Sequence, residues 1–218
     1  MALSIMNRLG IILGIAALHF GGALASADTC EALKNTLSPD GRIAIRKTNN
    51  GDFEFFDVSS QRGLGLILRT EGLRNISFVA SWNSDESDVA LLMYYGTKLS
   101  TFMIFQRTDS GTLVRRDFEM PDPIKLFQKR HGSRPFAKNE SGPMDNHVGP
   151  WIAKNTIRLI AGESREAFKD PPPQKEYLFA SFEATISKGC VSIGNVNLHE
   201  MMTFDEANQL LSELGIVR

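Results

Sequence analysis

The sequence predicts a mainly β fold of antiparallel blade-like sheets or a β-sandwich, with a short helix at each end of the mature chain. Three observations carry this expectation. From Arg42 onward, strand-length stretches alternate apolar and polar residues, the period of a half-buried strand. Turn formers punctuate them at Ser38-Pro39-Asp40-Gly41, Asn49-Asn50-Gly51, Asn83 to Asp88, Gly96-Thr97-Lys98 and Thr108-Asp109-Ser110-Gly111. The run Val89 to Tyr95 is apolar throughout, as expected of a central strand covered on both faces.

Residues 1–27 are built differently. Arg8 is their only charged group, the unbroken apolar run Leu9 to Leu18 follows, and small residues lead to Ala25-Ser26-Ala27. That is the pattern of a cleavable secretory signal. A run of this length is too short to span a bilayer as a helix, which takes roughly 20 residues, so no membrane span is expected once the signal is removed. Cleavage after Ala27 leaves 191 of the 218 residues as one mainly β domain, 28–218, with a periplasmic or secreted location. Without Arg8 the count is 23 basic against 25 acidic side chains, about −2. Near-neutrality argues against nucleic acid, whose phosphates require a strongly basic face. The two cysteines, Cys30 and Cys190, are expected to pair in an oxidising compartment. Closing so long a loop stabilises a fold by about 4 to 5 kcal/mol in the chain-entropy account.

In the mature chain Asp28 to Leu37 reads as a helix, capped by Asp28, with Cys30, Leu33 and Leu37 on one face. Strands follow around Ile43-Ile45, at Phe53 to Val58 and at Gly63 to Arg69. A second group comprises Ser77 to Trp82, Val89 to Tyr95, Ser100 to Arg107 and Thr112 to Phe118. Residues 119–150 break the rhythm and read as a long irregular loop, the sort of stretch that is usually functional or mobile. Strands resume at Trp151 to Ala161, Tyr177 to Ser187 and Cys190 to Leu198. A closing helix starts at Thr203, with Glu206 completing a capping box, Ala207, Leu210, Leu211 and Leu214 on one face, and Gly215 as its stop.

Two segments repeat. Leu37-Ser-Pro-Asp-Gly-Arg-Ile-Ala-Ile45 precedes Phe53-Glu-Phe-Phe-Asp57, and Trp82-Asn-Ser-Asp85 with Val89 to Met93 precedes Thr101 to Phe105. Asp40 and Asp85 stand 45 residues apart, about one four-stranded blade. Pro150-Trp151 to Leu159 reads as a third, degenerate copy. In these units the chain resembles the repeats of periplasmic TolB-like β-propellers, over residues 37–118 and more weakly 150–198. The resemblance implies a partial, propeller-like stack of two or three blades, short of the four that a closed ring normally needs.

Chemistry-bearing patterns are sparse. Asp145, His147 and His199 could in principle hold a metal, but no His-x-x-x-His, His-Glu-x-x-His or clustered cysteine supports it, so neither metal nor cofactor is expected. Gly-x-Ser-x-Gly is absent, Gly162-Glu-Ser-Arg lacks the closing glycine, and Asp85, Glu86 and Asp88 sit in a turn where solvated charge is the default. No catalytic residue is assigned. The sharper signal lies in the loop, where Lys125, Lys129, Arg130, His131, Arg134 and Lys138 form a local positive patch around Phe127 and Phe136. The expected role is a non-catalytic binding module. Lys125, Phe127, Lys129, Arg130, His131, Arg134 and Phe136 would contact an envelope protein, an anionic glycan or a lipid headgroup. Alternatives are a small envelope hydrolase using polar groups of the same loop, or a structural subunit that completes its blade stack by association.

Overall fold

A computed structural model describes residues 33, 35–70, 75–96, 99–136, 142–167 and 174–216. The fold is mainly β, as expected, with three antiparallel sheets, each a meander in chain order. The first holds β1 (Ile43–Lys47), β2 (Phe53–Asp57) and β3 (Gly63–Leu68). β4 (Ile76–Trp82), β5 (Asp88–Tyr95), β6 (Leu99–Arg107) and β7 (Leu113–Arg116) make the second. The third contains β8 (His147–Ala153), β9 (Thr156–Ala167), β10 (Gln174–Ser187) and β11 (Cys190–Met202). Helix α1 (Pro123–His131) links the second sheet to the third, and α2 (Phe204–Glu213) follows β11. Among the described residues no helix is long and apolar enough to cross a membrane.

The sheets stack face to face because the middle one is apolar on both sides. Val89, Leu91, Met93, Met103 and Phe105 meet Ile43, Ile45, Phe53, Phe55 and Ile67 of the first sheet. Their alternating neighbours Ala90, Leu92, Phe102 and Ile104 meet Ile157, Leu159, Phe182, Ala184 and Ile186 of the third. β5 is thus the central strand that its unbroken apolar run predicts. Rings interlock edge to face, with Phe55 5.0 Å from Phe105 and 5.8 Å from Trp82. Each large apolar side chain so enclosed contributes roughly 1.5–3 kcal/mol relative to exposure.

The repeated segments occupy equivalent places in successive sheets. Trp82 Nε1 donates to Thr36 O at 3.2 Å, and Trp151 Nε1 donates to Ser81 O at 3.1 Å. Thr36 and Ser81 each immediately precede a repeat unit, so one sheet-to-sheet bond is made twice at the same register. A bond of this kind contributes about 1 kcal/mol net. The turns also stack: Asp40 N–H donates to Glu86 Oε1 at 2.8 Å, and Lys154 Nζ lies 2.8 Å from Asp85 Oδ2. Lys154, with Ser87, draws the Asp85 pKa down to about 2.

Three sequence expectations need correction. The described end of the Asp28–Leu37 segment is not helical; residues 28–32 and 34 lie outside the described residues. Leu33 N–H donates to Ile45 O, and Asn35 O accepts from Ala80 N–H. Leu37 is 53% exposed, so the supposed buried face does not form, and neighbouring strands satisfy the backbone instead. Residues 119–150 are not irregular throughout, because α1 and the start of β8 fall there. Asp122 caps α1 by accepting from Lys125 N–H, Pro123 pre-sets its first turn, and Gly132 ends it at φ 73°. The stretch Trp151–Ala161 is two strands, parted by a turn at Lys154-Asn155 whose Asn155 amide donates to Ile186 O. With that division the ten stretches read from the sequence become eleven strands among the described residues. The closing helix is as expected: Thr203 and Glu206 form the capping box, and Ala207 and Leu211 bury against Ile160, Tyr177 and Phe179.

Candidate functional site

Helix α1 lies across the third sheet and carries most of the expected binding residues. Its apolar side sets Ile124 against Leu178 and Phe136, with Phe127, Leu198 and Met201 alongside. Phe136 is therefore not an exposed anchor. It is 2% exposed, with the Arg165 guanidinium 5.2 Å from its ring centroid. Phe127 is half-buried and stacks on His131 at 4.3 Å.

Much of the patch's charge is matched locally. Arg130 Nη1 donates to Glu200 Oε1 at 2.7 Å, and His131 Nε2 lies 2.9 Å from Glu200 Oε2. His131, with Arg130 beside it, holds the Glu200 carboxyl below its usual range. Lys125 Nζ sits 3.8 Å from Asp122 Oδ2, and Arg134 is exposed and acts on Glu163. Lys129 is exposed and has no ion-pair partner among the described residues. It stands on the rim of a groove of about 330 Å³ between α1 and β11, lined by Leu126, Lys129, Arg130, Val196 and Leu198. A second depression of about 250 Å³, bordered by Glu119, Met120, Asp122 and Lys125, shares Leu126 and Lys129 with it, and its acids offset its lysines. The first groove alone has an apolar floor with a cationic rim, suited to a ligand with the opposite pattern.

Beneath α1, burial and the nearby Asp122 raise the Glu163 pKa, and Arg134 opposes them. The folded state therefore keeps that proton to higher pH than the unfolded chain. Stability linked to this group is full below the ordinary glutamate pKa and falls as pH rises through the folded value. Glu163→Gln is expected to melt higher than the wild type at neutral pH. Melting curves of both proteins from acid to neutral pH should converge at the acid end; parallel curves would refute the linkage.

A second concave feature lies at the opposite edge of the third sheet. A cavity of about 400 Å³ is lined by Val79, Leu92, Tyr94, Asp145, His147, Val148 and Ile216. Between the lining residues Asp145 and His147, Asn146 donates to Ser100 O and accepts from Gly162 N–H, both at 3.0 Å, so that one amide bridges the second and third sheets. His147 Nε2 lies 3.1 Å from Asp145 Oδ1 but off the hydrogen-bonding line, and burial with Asp145 nearby raises the Tyr94 pKa. No serine, threonine or cysteine is among the described residues that line it.

The structure separates the three residues weighed as a metal set. Asp145 and His147 meet beside β9, whereas His199 is on β11, where its Nε2 lies 2.8 Å from Ser181 Oγ. Burial lowers the His199 pKa, and Ser181 is 5% exposed. Among the described residues no group of three or more metal-ligating side chains forms. Cys190 is exposed at the start of β11, and Cys30, its expected partner, lies outside the described residues. Sequence reasoning missed the groove itself, whose walls come from residues about seventy positions apart.

No protein-family model matches the chain, and no curated protein matches its sequence. Its geometry places it among open stacks of antiparallel meanders, with a helix-walled groove on the last strand.

Proposed function

We propose that this chain is an exported, non-catalytic binding module that docks an acidic partner on the surface formed by α1 and β11. One observation carries the reading: the groove floor of Leu126, Val196 and Leu198 is apolar, and the cation beside it, Lys129, is not neutralised within the described residues. Fixed charge at such a rim steers an oppositely charged partner, while the floor supplies the contact that holds it. The other cations of the patch face acids: Lys125 lies by Asp122 in a depression that Glu119 also lines, and Arg130 and His131 tie α1 to β11 through Glu200.

Capture of partners from an envelope extract by the immobilised protein tests the docking surface. Lys129→Glu should reduce capture by about tenfold, and raised salt should do the same to the wild type. Circular dichroism should show an unchanged fold, since Lys129 is exposed. Capture that is indifferent to both would refute the docking surface. Export is tested separately by intact mass of protein recovered from the periplasm or medium. The expected product starts at Asp28 with Cys30 and Cys190 joined; a product that keeps Met1 with both thiols reduced would overturn it.

A further inference from the structure

The third sheet ends on β11, which pairs with β10 on one side. Among the described residues no strand pairs with its other side, so alternate backbone N–H and C=O groups along that edge point outward. Native proteins commonly blunt such edges with bulges, and β11 has two. Asn195 and Met201 take left-handed backbone conformations, with φ of 49° and 45°, beside the two register shifts against β10. Between the two shifts Asn197, Leu198 and His199 keep consecutive register with Ser181, Ala180 and Phe179. Val196 and Glu200 flank them and close a short window at both ends.

Side chains along this window alternate. Val196, Leu198 and Glu200 face α1: the first two line the groove, and the third bonds Arg130 and His131. His199 turns to the opposite face, towards Ser181. A strand laid beside β11 would therefore direct every second side chain under α1, beside Leu126 and Lys129. Val196 is 42% exposed, so the floor there is open to such a neighbour. A helix running over an exposed strand edge is the arrangement that receives an extended peptide by strand addition, with backbone bonds giving affinity and alternate pockets giving specificity.

We infer that the Val196–Glu200 edge of β11 takes an extended segment of a partner protein as an added strand, with apolar and acidic side chains alternating against Leu126, Val196 and Lys129. The inference rests on the docking reading above and specifies the partner's chemistry. Acidic character follows from Lys129 on the rim, a lining cation with no ion-pair partner among the described residues. Extended conformation follows from the unpaired edge. A folded anionic surface or a lipid headgroup would satisfy the first feature and not the second.

The probe is a fluorescein-labelled peptide of alternating valine and glutamate, titrated against the full mature protein and followed by anisotropy. Two further versions carry N-methyl groups on alternate residues in opposite phases, and a fourth replaces glutamate with lysine. Strand addition predicts that one methylation phase weakens binding at least tenfold, the other phase binds like the parent, and the lysine peptide fails. Amide exchange should slow within Val196–Glu200 when the parent peptide binds. Because the backbone change is made in the peptide, the methylation arms use the unaltered protein, and Lys129→Glu alters an exposed side chain and leaves the fold intact. Parent binding that Lys129→Glu weakens but neither methylation phase affects overturns strand addition and leaves the docking surface standing. Binding of anionic vesicles with no binding of the parent peptide also overturns it. So does parent binding insensitive to both Lys129→Glu and methylation, and that result counts against the docking surface as well.

Discussion

Replacing Phe136 with alanine is expected to destabilise the fold by about 3–5 kcal/mol, the range for emptying a buried aromatic site. The ring is enclosed by Ile124 of α1 and Leu178 of β10, and the Arg165 guanidinium lies over it. Truncation would leave a cavity whose walls are a short helix and a strand pinned on both sides by β9 and β11. The strand cannot move to fill that space. The helix can, and it holds the rim of the groove, so the loss should spread to Arg130, His131 and their bonds to Glu200. Two measurements are diagnostic together. The denaturant midpoint should fall sharply, and amide protection should fall first in Pro123–His131. A docking anchor would behave oppositely, losing partner capture with its midpoint intact, and that result would return Phe136 to the surface role its sequence neighbours suggest. Lys129→Glu supplies the contrast, since it changes the rim without touching the core.

Phe136 also shows where sequence reasoning works and where it stops. It sits among basic residues and prolines, so composition alone assigns it to a polar loop. Its burial depends on Leu178, more than forty residues away, and on a helix with few buried residues of its own. Ile124 and Pro123 are the only buried ones in α1, too few to establish a helical period, although its cap signals Asp122, Pro123 and Gly132 stood in the sequence. By contrast, β5 was legible because burial on both faces leaves an apolar run with no gaps, and α2 because its capping box and apolar face are local. The repeat was legible as spacing, and the bonds from Trp82 and Trp151 supply its physical content. Neutralisation of the basic patch was not legible, since Glu200 lies about seventy residues from the cations it binds. Nor was the groove, whose β11 wall depends on two bulges that shift register against β10. Strand register is set by long-range pairing, and a slip of one residue turns a floor residue to the other face.

Gly162→Ala is expected to cost about 3 kcal/mol, at the upper end for forcing volume into a packed site. In a chain of this size that lowers the melting temperature by roughly 6–12 °C. A methyl group at this position would run into the Phe179 ring on one side and the Asp145 carbonyl on the other. Neither neighbour can yield cheaply. Phe179 is fully buried, with Tyr177 at 5.8 Å and His147 edge-on at 5.9 Å, and α2 packs over it. The Asp145 carbonyl belongs to a segment tied to Gly162 itself: Asp145 N–H donates to Gly162 O, and Gly162 N–H donates to Asn146 Oδ1. Any shift that relieves the clash therefore strains the bridge from Asn146 to Ser100, which joins the second and third sheets. The His147 ring resonances should move, and α2 should exchange its amides faster, because both rest on the displaced Phe179. Gly194→Ala is the control: a Cβ there meets nothing within 4 Å, and its effect should stay within about 0.5 kcal/mol. Equal melting of the two variants would mean that the chain does not approach Gly162 closely, and the Asn146 bridge would then have to close by some other path.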